Sequence, residues 1–100
     1  MRFLCPLSDV PLNGCRRVVL GRRGALALFN LAGTIHALDD RCSHGDASLA
    51  AGDVDEGVVY CPLHAGGFDI ATGAPVHPPC EDPVARHAVV VRDDGVWLDE

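Results

Sequence analysis

Short apolar stretches separated by glycine-bearing turns make up much of this chain. RRVVL (16–20), ALALFNL (25–31) and TIHALD (34–39) are each long enough for a strand, and turns fall at 21–24 and at Ala32-Gly33. The Ala32-Gly33 pair between two such runs reads as a hairpin. Near the C-terminus, ARHAVVVR (85–92) and GVWLDE (95–100) flank Asp93-Asp94-Gly95, a second hairpin signal. No window sustains a 3.6-residue apolar period over the length of an ordinary helix, so only single helical turns are expected, around 8–12 and 46–49. The pattern predicts an all-β fold.

Residues 41–80 break the pattern. They are rich in Gly, Pro, His and Cys and poor in long apolar runs. They read as a loop-rich excursion held by something other than a hydrophobic core, resting on a base made of the flanking strands. GAPVHPPCEDP (73–83), with four prolines, reads as a rigid return to that base.

Length and composition narrow the class. One hundred residues suit a single domain, and 48% hydrophobic content supports a core, though a chain this short gains from an added staple. The formal net charge is −6, Lys is absent and eight Arg are scattered, which argues against nucleic acid as a partner and suits docking onto basic protein surfaces. The opening MRFLCPLSDV is interrupted by Pro6 and Asp9 and does not read as a signal peptide; no run reaches the length of a membrane span. A cytoplasmic protein with reduced thiols is expected.

The chemistry is concentrated in two pairs, Cys42-x-His44 and Cys61-x-x-His64, with sixteen residues between His44 and Cys61. Thiolate and neutral imidazole bind zinc, copper and iron alike. Zinc fingers usually open with two Cys and close with two His. Here each pair holds one of each, an unusual order for zinc that leaves tetrahedral zinc open. A binuclear iron–sulfur cluster accounts for the pattern better: two Cys on one iron, two His on the other, each loop giving one ligand to each iron.

CSHG (42–45) and CPLH (61–64) resemble the Rieske signature, and the resemblance runs through CPLHAGGFDIATGAPV to VVVRDDGVWLDE, over essentially the whole chain. The opening CPLSDVPLNG and the stretch ALALFNLAGTIHALDDRCSH are similar to the ferredoxin components of bacterial aromatic-ring-hydroxylating dioxygenases. This implies the Rieske fold, an antiparallel β-sandwich forming a single domain over 1–100, with a base subdomain of about 1–39 and 81–100 and a loop-rich cluster-binding subdomain of about 40–80. It implies one Rieske-type [2Fe-2S] cluster per chain, held by Cys42, His44, Cys61 and His64, with no catalytic residues. The implied role is that of an electron carrier, not an enzyme, for aromatic hydrocarbon catabolism. The implied partners are a flavin-dependent ferredoxin reductase and a terminal Rieske non-haem iron oxygenase. A monomer is expected, with no membrane and no nucleic acid.

Within that resemblance, respiratory Rieske proteins carry an extra Cys in each ligand loop, joined as a disulfide. This chain has Leu63 before His64 and Ala47 or its neighbours after His44, so that bridge is absent. The Ser and Tyr that donate hydrogen bonds to cluster and ligand sulfur in those proteins correspond to Gly66 and Phe68, whose side chains donate nothing. A low-potential centre is implied. With neutral imidazoles, two ferric ions, two sulfides and two thiolates sum to zero charge, which places the potential above that of an all-Cys ferredoxin.

The remaining candidates have plainer readings. Cys5, Cys15 and Cys80 read as buried or partly exposed thiols, His36 and His87 as strand residues, His77 as a solvated loop residue, and Phe68 and Trp97 as packing residues. Gly45, Gly66 and Gly67 suit both turn geometry and close backbone approach to sulfur. Pro62 stiffens the second loop, and Pro78 and Pro79 are candidates for a third loop over the cluster. Two alternatives are a structural zinc module for protein interaction and a Rieske-like small subunit of another oxidoreductase such as nitrite reductase. All four ligands are present, which weighs against the latter.

Overall fold

In a computed structural model, residues 1–43, 47–63, 65–78 and 80–99 are described. Among them the structure is antiparallel β with three short 3-10 turns and no α-helix. The strands are β1 (Arg2–Pro6), β2 (Cys15–Val19), β3 (Ala25–Leu31), β4 (Thr34–Asp39), β5 (Asp53–Asp55), β6 (Val58–Tyr60), β7 (Gly67–Asp69), β8 (Pro75–His77), β9 (Arg86–His87), β10 (Val89–Arg92) and β11 (Gly95–Leu98). They form three sheets, ordered β1-β11-β10, β2-β3-β4-β9 and β5-β6-β7-β8.

The β3–β4 hairpin is the middle of the molecule. Side chains of a strand alternate between faces, and residues directly paired across a ladder share one. Leu28 pairs with Ala37, and both join a core cluster with Cys5, Val10, Val96 and Leu98. Ala27 pairs with Leu38, and both join a second cluster with Cys42, Leu49, Val59, Cys61, Phe68, Ile70 and Val84. Burial on both faces is why ALALF (25–29) is apolar without a break instead of alternating.

The expected strands at 25–31 and 34–39 match β3 and β4, and their turn has φ of 53° at Ala32 and 94° at Gly33. Positive φ at both central residues is the type I′ requirement, which suits the right-handed twist of the hairpin. Asp93 and Asp94 repeat this between β10 and β11, with φ of 54° and 58°. Gly95 stands beyond that turn, in β11; a Cβ there would lie 2.9 Å from Cε1 of Phe3. Its small size admits the edge-to-face Phe3–Trp97 pair, whose centroids are 5.2 Å apart.

Several expectations need correction. ARHAVVVR is two strands: β9 pairs with β4 and β10 with β11, so the chain changes sheets at Ala88. The 3-10 turns nearest the expected helical turns lie at Leu7–Asp9 and Leu49–Ala51; Asp46 lies outside the described residues. The N-terminal β1, not anticipated, pairs with β11.

The largest correction concerns residues 41–80. They contain a four-stranded sheet, and Leu49, Val59, Phe68 and Ile70 are fully buried in the cluster that includes Phe29 and Leu38. A hydrophobic core therefore holds this segment. Its strands are only three residues long, too short for an alternating pattern to register. Within the expected rigid return, Pro75 opens the edge strand β8, a position where its missing N–H is tolerated.

Asp40, 4% exposed, ties this segment to the central sheet. One carboxylate oxygen accepts hydrogen bonds from the Ser48 hydroxyl and the Ala50 N–H, each at 2.9 Å, while the other accepts from Arg17 Nε at 2.9 Å. Asp40→Ala strands the Ser48 and Ala50 donors, and chemical denaturation should show a loss of about 2 kcal/mol. Ala32→Asn puts a residue that tolerates left-handed backbone before Gly33, and the same measurement should show a gain of roughly 0.5–1 kcal/mol.

Candidate metal centre

The first ligand loop leaves β4 through Asp40 and is closed at its base. The Cys42 N–H donates to Ala47 O at 2.9 Å, and Arg41 forms a bridge with Ser48. The second leaves β6 and is closed by a bond of the same span, Cys61 N–H to Gly66 O at 2.7 Å. Inside it, the Ala65 N–H donates to Cys61 O at 2.9 Å, with Ala65 in the left-handed region at φ 58°. Each loop therefore begins at a cysteine whose own N–H fastens it. Ser43 adds an external anchor by donating to Asp82 O at 2.6 Å.

Cys42 and Cys61 are each 2% exposed and belong to the same apolar cluster. His44 and His64, together with Gly45 and Pro79, lie outside the described residues. The structure thus places the two predicted thiol ligands together at the junction between the central sheet and the β5–β8 sheet. Two buried thiols at the feet of adjacent closed loops fit the two-thiolate half of a [2Fe-2S] site with mixed ligands.

A third thiol joins them. Cys80 is buried in the same cluster. Burial, and then the neighbouring Cys42 and Cys61 sulfurs, push its thiol up to about 11. Sequence reasoning read Cys80 as a plain thiol, because its nearness to the ligand loops depends on how the Pro-rich return folds back. Cys5 belongs to the other cluster, whereas Cys15 packs against the margin of this one and its Sγ donates to Ala50 O at 3.0 Å; burial is the main cause raising both thiols. None of the five cysteines forms a disulfide.

The two described glycines of the second loop serve space, since neither has a positive φ. A Cβ on Gly66 would lie 2.3 Å from Cys80 Sγ. A Cβ on Gly67 would lie 2.9 Å from Cδ2 of His77, which stacks on Tyr60 with ring centroids 5.5 Å apart. His77 is therefore an exposed residue of β8 resting on an aromatic ring, not a solvated loop residue. His36 and His87 are strand residues as expected, and His87 Nε2 lies 2.7 Å from Asp39 Oδ1. Phe68 is fully buried core, and Trp97 packs on Phe3 while its indole N–H donates to Arg92 O at 3.2 Å.

Comparison with known proteins agrees with this geometry. The Rieske [2Fe-2S] domain family matches residues 1–93. The 3-phenylpropionate/cinnamic acid dioxygenase ferredoxin subunit of Escherichia coli (strain K12) is 38% identical over 98 residues, covering 97% of this chain and 91% of that one. The Sphingomonas yanoikuyae B1 ferredoxin superposes with a TM-score of 0.93 at 36% identity, covering 98% of this chain and 96% of that one. A chain in the complex of reduced oxygenase and oxidized ferredoxin in carbazole 1,9a-dioxygenase superposes with a TM-score of 0.91 at 34% identity, covering 96% and 89% respectively. Fold, buried thiol pair and relatives converge: this chain belongs to the Rieske [2Fe-2S] domain family, and its cofactor is one Rieske-type [2Fe-2S] cluster.

Proposed function

We propose that this chain is a one-electron carrier, the ferredoxin of an aromatic-ring-hydroxylating dioxygenase system. It takes electrons from a flavin-dependent ferredoxin reductase and delivers them to a terminal Rieske non-haem iron oxygenase. The observation that carries the reading is the pair of closed loops bringing Cys42 and Cys61 together in a family-wide match to dioxygenase ferredoxins. The carbazole dioxygenase complex, in which an oxidized ferredoxin meets a reduced oxygenase, supports the choice of partner. In this reading the protein is a cytoplasmic monomer, one domain with a base of about 1–39 and 81–100 and a cluster-binding part of about 40–80.

Cys42 and Cys61 would hold one iron, and His44 and His64 the other. When bound, the cluster supplies a one-electron couple. The chain supplies a rigid, dry setting. Leu49, Val59, Phe68, Ile70 and Val84 wall the thiols in apolar surface, and Asp40 clamps the start of the first loop. Leu63, beside His64 on the second loop, is 51% exposed, and an exposed apolar residue next to a ligand suits contact with a partner. The acidic balance of the chain favours transient, salt-sensitive association.

The purified chain should be red-brown, with a Rieske-type EPR signal on reduction, and Cys42→Ala or Cys61→Ala should abolish both. A colourless protein carrying one zinc would overturn the proposal. Gly66 and Phe68 offer no side-chain donor to sulfur, so the midpoint should fall near the lower end of the roughly −150 to +300 mV Rieske range. Protein-film voltammetry giving a value above about +100 mV would contradict this.

A further inference from the structure

Asp40 does more at the first ligand loop than fasten it. Its side chain accepts three hydrogen bonds, from the Ser48 hydroxyl, the Ala50 N–H and Arg17 Nε, and donates none, which is the bonding of an ionised carboxylate. That charge is buried two residues before Cys42. One of its donors, Ala50, packs against the apolar cluster that holds Cys42 and Cys61. Arg17 answers the charge from the surface, and the register of the central sheet brings it there. Arg17 pairs with Ala27 and Ala27 with Leu38, so Arg17 stands on the face of the sheet turned toward the two ligand thiols. Its Nε lies 2.9 Å from Asp40 Oδ2, while its side chain is 53% exposed.

We propose that Arg17 is a potential-setting residue that acts through Asp40, its guanidinium offsetting a buried negative charge that would otherwise oppose the electron arriving at the metal centre. This inference rests on the electron-carrier reading above. Reduction adds one electron, and so one negative charge, to the iron–sulfur unit. A fixed carboxylate in poorly polarisable surroundings makes that addition harder, and a cation paired with it removes most of the opposition. The loop thereby keeps an anionic clamp with three donors without a large penalty on reduction. The two charges also differ in their contact with solvent. Salt screens the exposed Arg17 far more than the buried Asp40, so the offset is sensitive to ionic strength.

Redox titration of the cluster-loaded protein, followed by EPR, tests this. At low salt, Arg17→Gln should shift the equilibrium toward the oxidized form by at least threefold, about 28 mV downward for a one-electron couple. Arg17→Lys keeps the charge and should recover most of that shift. The gap between Arg17→Gln and the unmodified chain should narrow as salt rises from about 10 mM to about 1 M, which a merely structural role would not produce. Arg92→Gln removes the same formal charge from β10, in the sheet that contributes neither ligand thiol, and should shift the midpoint by less than half as much. An unchanged midpoint in Arg17→Gln with the EPR signal intact, or an equal shift in Arg92→Gln, overturns the proposal. Should Arg17→Gln fail to assemble a cluster, Asp40→Asn decides, since it removes the negative charge and leaves an oxygen for Ser48 and Ala50. A raised midpoint there supports the proposal, and an unchanged or lowered one overturns it. Absence of a Rieske signal from the unmodified chain would instead refute the electron-carrier reading, before any variant is compared.

Discussion

Burial of the β3–β4 hairpin on both faces organises the molecule. Leu26, Leu28 and Ala37 face the cluster completed by β1 and β11, whereas Ala27, Phe29 and Leu38 face the cluster that contains Cys42 and Cys61. Each fully buried Leu or Phe of this hairpin contributes about 1.5–3 kcal/mol relative to exposure. A sheet loaded on both sides cannot tilt toward one layer without opening the other, so the hairpin is a fixed reference for everything attached to it. Asp40 follows directly at the end of β4, and its carboxylate carries that rigidity into the first ligand loop.

The site is then made of three segments with different means of support. Two loops are fastened at their own feet by equivalent backbone bonds, Cys42 to Ala47 and Cys61 to Gly66. The equal spans contrast with the unequal ligand spacing in the sequence, Cys-x-His against Cys-x-x-His. The third segment is held from below, by the bonds of Val84 to Gly73 and Asp39 to Ala85, and it brings Cys80 against the second loop.

Much of this was legible in the sequence. The two Cys/His pairs carried the metal chemistry, and apolar runs bounded by turn residues marked β3, β4 and the β10–β11 hairpin. Other parts were hidden for physical reasons. An unbroken apolar run such as ALALF (25–29) declares burial but not which residue meets which layer, since that depends on partners distant in the chain. The strands β5 and β6 are too short for a period to register, and the one local signal between them is the turn pair Glu56-Gly57, both of positive φ. The structural work of Asp40 and the nearness of Cys80 to Cys42 are products of tertiary folding alone. No local rule distinguishes Asp40 from Asp39 beside it, and only packing reveals that Gly66 is small to admit a sulfur atom.

The pairing of Arg2 with Leu98 has a mechanical consequence. It sets both ends of the described strands side by side in the β1-β11-β10 sheet, across the central hairpin from Cys42 and Cys61. A force applied at those ends is borne by the β1–β11 ladder and dissipated there. A tether to an electrode or to a fused protein, attached at either end, would thus load a sheet that contributes neither cysteine and leave both cysteine loops slack.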